Sequence, residues 1–152
     1  MKSKILLWIN GPLYFSIAYH LQKMYDCELY AVFDITNKPK EFFLKQDLVK
    51  FERIWFYHDH IKINDSVDME FLKSFEKKYD IDLWKLAINE RIFYRFYEFH
   101  KFSTNEILSI EEGSCKLFEN ILKEIKPDFF LSYLPNLHHL EIFYELCVAK
   151  GV

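Results

Sequence analysis

The feature that most narrows the folds open to this chain is the run Ile5-Leu6-Leu7-Trp8-Ile9, cut off by Asn10-Gly11-Pro12. An apolar run this short, closed by turn residues, reads as a β-strand covered on both faces, the environment of a parallel sheet. Lys2 and Lys4 ahead of it imitate a secretory leader. The run is too short for one, and no small-x-small cleavage site comes after it. No stretch approaches the ~20 apolar residues that span a bilayer, so the sequence points to a cytoplasmic protein.

Beyond this turn the chain alternates helix and strand. Leu13, Ile17, Leu21 and Met24 recur at helical spacing, with Tyr14, Ala18 and Tyr25 beside them. Glu28 to Phe33 reads as a second strand and Asp34 to Pro39 as a polar, Pro-containing loop. A weaker helical stretch around Phe42 to Val49 leads into a third strand, Arg53 to Tyr57. This β-α-β-α-β order implies a parallel sheet with crossover helices on its faces. The middle is helical. Asp68 is placed to cap a helix running to about Tyr79, and Asp82 to cap another with Leu83, Ala87, Phe93 and Phe96 among its apolar positions. Ser103-Thr104-Asn105-Glu106 fits a capping box opening a long helix, in which Gly113 is a weak point. Lys126-Pro127-Asp128 stops that helix. Phe129 to Tyr133 is a fourth strand, Leu134-Pro135-Asn136 its exit loop, and His138 to Lys150 a last helix with Gly151 at its C-cap.

The expected fold is therefore α/β: one Rossmann-like domain over residues 1–152, a parallel sheet of about four strands flanked by helices, with a helical insertion in the middle. The pattern calls for another strand after Val152, so the chain is expected to be the N-terminal part of a longer two-domain protein.

Composition removes several function classes. A hydrophobic content of 51%, with 19% aromatic residues, supplies a dry core and excludes disorder. With 3 glycines there is no material for a Gly-rich phosphate loop, and no motif asks for a cofactor. Lys and Arg are scattered among acids at a net charge of −3, which leaves no basic stripe for nucleic acid. Cys27, Cys115 and Cys147 are far apart and odd in number, so they read as buried reduced thiols rather than a disulfide framework or zinc set.

Ligands of open parallel sheets bind beyond the carboxyl ends of the strands, where the strand order reverses. Strands one and four are the expected neighbours there, which singles out two loops. Asn10 and Gly11 precede a helix N-terminus whose N–H groups suit an anion or a sugar hydroxyl; a plain tight turn is the competing reading. Pro135 and Asn136 lead to His138 and His139, either of which could act as a general base, although a polar helix start with one partly buried His explains the pair equally. His58-Asp59-His60 ends strand three, and alternation would put both imidazoles on one side, but no third ligand offers itself and no metal is assigned. Arg91 and Arg95, one helical turn apart, could grip a phosphate or carboxylate, or pair with Glu90, Glu98 and Asp82. The aromatic stretch from Trp84 to Phe102, with Phe93, Tyr94, Phe96, Tyr97 and Phe99, reads as a buried helix or as a platform for a partner.

The run Glu76-Lys77-Lys78-Tyr79-Asp80-Ile81-Asp82-Leu83-Trp84-Lys85-Leu86, with Glu90-Arg91 and Lys126-Pro127-Asp128-Phe129-Phe130 after it, resembles the N-terminal part of glycosyltransferase-like proteins of surface and capsular polysaccharide biosynthesis. The resemblance covers most of the chain and lies in segment order and texture, not in a catalytic signature. It implies the two-domain GT-B architecture, with this chain on the acceptor side and the nucleotide-sugar site largely on a C-terminal domain. It further implies a saccharide acceptor, peripheral membrane association through that acceptor, a C-terminal domain or homodimer partner, and no turnover by this chain alone. A catalytic base on a loop of the N-terminal domain would be His138, His139 or part of the Asn10-Gly11 loop. Two other readings stand beside it: a non-enzymatic Rossmann-like interaction module, and a small nucleotide-binding domain.

Overall fold

The apolar run at the start of the chain forms β1 (Ser3–Ile9), the strand from which the rest of a four-stranded sheet is built. This computed structural model describes residues 2–64, 66–95 and 98–152. They gather into two units. The first runs to Asp59 and takes in Ile125–Tyr133 and Val152; the second comprises His60–Glu124 and Leu134–Gly151.

The first unit holds the sheet. β2 (Cys27–Phe33) pairs with β1 from Ser3↔Cys27 to Ile9↔Phe33, β3 (Arg53–Phe56) pairs with β2, and β4 (Phe129–Leu131) pairs with β1 from Ile5↔Phe129 to Leu7↔Leu131. All pairings are parallel, and the order is β3-β2-β1-β4. The chain thus starts in the middle of the sheet, adds two strands to one side and returns on the other. Leu6, Leu7, Trp8 and Ile9 are fully buried, as a central parallel strand requires.

One face of the sheet presents Ile5, Leu7 and Ile9 beside Leu29, Ala31 and Phe33. Two helices cover it. α1 (Pro12–Met24) buries Phe15 and Ala18, and packs Tyr14, Ile17, Tyr19 and Leu21 partly buried against the same core. Leu13 and Met24, which helical spacing assigns to the buried stripe, are instead 68% and 70% exposed. Residues two apart on a helix point about 200° apart, so Leu13 and Phe15 cannot both face the sheet. The Phe15 ring wins by meeting Phe43 at 5.1 Å edge-on. α2 (Asn37–Lys45) begins earlier than spacing predicts and includes Pro39. Proline is tolerated there because the N–H groups of a first helical turn have no intrahelical partner. Phe43 of α2 closes the core against Phe33 at 4.9 Å, and Phe33 stacks on Phe56 at 5.3 Å.

α3 (Tyr57–His60) is a single helical turn. His58 and His60 therefore do not alternate along a strand, and the geometry that would have aligned them for a metal is not present.

The second unit is helical. Asp68 caps α4 (Met69–Tyr79) by accepting from the Phe71 N–H at 2.9 Å, and Asp82 caps α5 (Leu83–Asn89) by accepting from Lys85 at 2.8 Å. α5 is shorter than its apolar spacing predicts. It stops at Glu90, whose backbone is extended and whose side chain accepts from the Ile92 N–H at 2.9 Å, starting a new turn, α6 (Arg91–Tyr94). Phe93 is buried with Ala87 and Ile107, against Phe102 and Ile110, while Phe99 is 87% exposed. The aromatic stretch is thus part core and part surface; Phe96 and Tyr97 lie outside the described residues. α7 (Thr104–Ile125) opens on the expected capping box: the Ser103 N–H donates to Glu106 Oε2 at 2.7 Å, and the Glu106 N–H donates to Ser103 Oγ at 3.2 Å. α8 (His138–Lys150) ends on Gly151, left-handed at φ 74°. No helix among the described residues is long and apolar enough to cross a membrane.

Candidate functional site

The carboxyl ends of the strands in the first unit carry a cluster of polar and aromatic side chains. Each parallel strand delivers its first polar residues to this edge. β1 runs out into Asn10, β2 into Asp34, β3 into Tyr57 and His58, and Tyr133 stands a short interval beyond β4. His58 Nε2 lies 2.9 Å from Asp34 Oδ1; the imidazole is 45% exposed, while Asp34 is nearly covered. With Nε2 committed to the carboxylate, Nδ1 is the nitrogen placed to accept a proton. Burial raises the Tyr133 phenol above its usual range, and the Asp34 charge adds to the shift; the Asn10 side chain and Trp8 indole approach the hydroxyl and pull the other way. Around this polar group stand the Tyr14 ring, 6.1 Å from Tyr133, and the Trp8 ring, 6.0 Å from Tyr57.

Of the residues the sequence singled out, Asn10 and Gly11 belong to this edge. Asn10 is exposed. Gly11 is extended, and a Cβ there would meet nothing within 4 Å, so the turn itself does not demand glycine. Pro12 opens α1 directly behind it.

His138 and His139 stand at the start of α8 in the second unit, both buried. His138 belongs to a buried group of acids. Glu90 Oε2 accepts from the His138 backbone N–H at 2.7 Å and lies 3.0 Å from its ring Nδ1. Glu111 Oε1 lies 3.6 Å from its Nε2. Burial alone would raise the Glu90 carboxyl, but the His138 ring and the Ile92 and His138 N–H groups outweigh it and hold it down at about 2. Glu111 has no such donors. Burial first, and the Glu90 charge second, push it well above the ordinary carboxyl range. The two carboxyls are thus driven apart, Glu90 downward and Glu111 upward, with an imidazole between them. At 4% side-chain exposure His138 is a held group, not one open to a large substrate. The His139 ring sits 5.1 Å from that of His138.

Arg91 starts α6, exposed, and the Glu90 carboxylate that sequence proximity offered it is engaged by His138 and Ile92 instead. Asp82, another of the three carboxylates near the arginines in sequence, caps α5. Pro135 is partly buried and Asn136 exposed on the segment entering α8. Cys115 and Cys147 are buried free thiols, both raised by burial, Cys147 to about 12. Among the described residues no three His, Cys, Asp or Glu side chains gather to hold a metal ion.

Asp34, His58 as its partner, Tyr133, Glu90 and Glu111 were not reached as site residues from the sequence. A signal for the first three was present: they are the first polar or hydroxyl-bearing residues at or soon after strand ends, the positions a parallel sheet delivers to its ligand edge. No comparable signal marks Glu90, at the break between α5 and α6, or Glu111, inside α7, until the helices pack.

Comparison of the chain with protein-family models, with curated proteins and with solved structures gave no match in any of the three.

Proposed function

We propose that this chain is the acceptor-side domain of a glycosyltransferase of surface-polysaccharide synthesis, working in the cytoplasm, and that the carboxyl edge of its sheet takes a saccharide. The observation that carries the reading is the company His58 keeps there: an imidazole on a covered carboxylate, beside an amide and a phenol, and framed by aromatic rings. Sugars present hydroxyls that suit such polar groups and C–H faces that suit aromatic rings. In this reading Nδ1 of His58 takes the proton of the acceptor hydroxyl, and Asp34 stabilises the imidazolium that results. The hydroxyl oxygen bonds to the anomeric carbon of the donor, and the nucleotide leaves with the electron pair of the broken bond. The exposed His58 serves as base in place of the buried His138 and His139. The nucleotide sugar is bound by a further domain or a partner copy.

Amide chemical-shift titration with short oligosaccharides tests this. Perturbations are expected at Asn10, Asp34, His58 and Tyr133, and Asn10→Ala and Tyr133→Phe should each weaken binding roughly tenfold, the loss of one or two hydrogen bonds. Shifts that avoid this edge, or tight binding of a nucleotide sugar by this chain alone, would overturn it.

A further inference from the structure

We infer that the second unit holds a separate small-molecule site, an apolar pocket that takes a ligand with an apolar body and a primary ammonium head, the head being bound by Glu111. The pocket measures about 300 Å³, at the small end of ligand cavities. Met69 and Leu72 of α4, Leu83 and Trp84 of α5 and Leu108 of α7 line it, and Glu111 supplies its buried polar group.

Glu111 is the reason to expect a ligand of this chemistry. Its side chain is 1% exposed, and neither carboxyl oxygen has a hydrogen-bond partner among the described residues. Buried polar atoms in folded proteins are rarely left so. The nearest candidate, the His138 ring, stands 3.6 Å away, beyond hydrogen-bond reach. A carboxylate offers about four lone pairs. An ammonium carries three donors and can serve both oxygens at once, whereas a ligand hydroxyl brings one.

Charge points the same way. The ionised Glu90 lies on the far side of His138 from Glu111, and Glu76 lines the pocket with its Oε1 accepting from the Leu83 N–H at 3.0 Å. Lys73 is the one cation among the lining residues. An anionic head would therefore meet more acid than base. Burial and the Glu90 charge raise the Glu111 carboxyl, whereas an ammonium beside it favours the ionised form, so binding draws the group toward carboxylate and the proton it gives up passes to solvent.

Phenethylamine is a suitable probe and 2-phenylethanol its uncharged counterpart, both tracked through the indole N–H resonance of Trp84. The indoles of Trp8 and Trp55, in the first unit, serve as controls and stay unmoved, which keeps this test independent of the saccharide reading. Saturable binding is expected, with the amine roughly tenfold tighter than the alcohol. Glu111→Gln preserves size and should abolish that preference. Leu108→Trp, filling the pocket, should abolish binding of both. Equal affinities, a preference that survives in the Gln variant, or no saturable shift below about 10 mM would each overturn the inference. If Leu108→Trp fails to fold, the comparison of wild type with Glu111→Gln decides alone.

Discussion

Glu90 and Glu111 are chemically identical residues whose surroundings give them opposite effects on stability. Glu90 is held down at about 2 in the folded protein. Its contribution is complete above the ordinary carboxyl range and is lost as pH falls from about 4.5 toward 2, a swing on the order of 3 kcal/mol. Glu111 works in reverse. Its folded pKa lies well above 4.5, so as pH rises past that value the unfolded chain ionises while the folded one does not, and stability falls. Stability from this pair is therefore greatest close to where an ordinary carboxyl titrates. Glu111→Gln should remove the decline on the alkaline side: urea midpoints of variant and wild type are expected to coincide near pH 4 and to separate, variant above wild type, toward neutrality. A variant less stable than wild type at neutral pH would contradict the upward shift of Glu111.

Helix ends were the most readable elements in the sequence, because a cap is a local transaction. Asp68, Asp82, the Ser103–Glu106 box and Gly151 act where spacing placed them. The strands were equally readable from their apolar runs. The face of α1 was not, since Leu13, Tyr14, Phe15, Ile17 and Ala18 cover more than one side and only packing against Phe43 chooses among them. The break at Glu90 was hidden for a related reason: it depends on what its carboxylate meets, and His138 is 48 residues away. The sheet-edge cluster was half legible. Asn10 could be placed from β1 alone, but the pairing of Asp34 with His58 needed β2 and β3 in register. Gly113 lies inside α7, where spacing put it, and the structure leaves room for a side chain. A Cβ there would come no closer than 3.5 Å to Ile61 Cδ1, an ordinary contact. Gly113→Ala should stabilise the protein by about 1 kcal/mol, raising the thermal midpoint by about 2–4 °C in calorimetry.

For the molecule as a whole, the decisive fact is that β1 pairs with a strand from the other end of the chain. The excursion from His60 to Glu124 lies between β3 and β4, so one side of the sheet closes only after a long loop is formed, at an entropic cost that slows folding. Asp128 secures that closure. Its side chain accepts from the Lys4 N–H at 2.8 Å, and its own N–H donates to the Lys4 carbonyl at 2.9 Å. Asp128→Ala removes the first bond and keeps the second, and should cost about 1 kcal/mol, measured by denaturant unfolding.

The same sheet has its shortest strands outermost: β4 spans 3 residues and β3 spans 4, against 7 each for β1 and β2. An open edge invites any extended segment of another molecule to add itself as a further strand, the first step of fibrillar aggregation. Here an incoming segment finds only a few ladder bonds before the edge runs out. The two long apolar strands, which would be the most adhesive in the chain, are walled in on both sides. This molecule keeps its stickiest sequence from its neighbours by the order in which it arranges its strands.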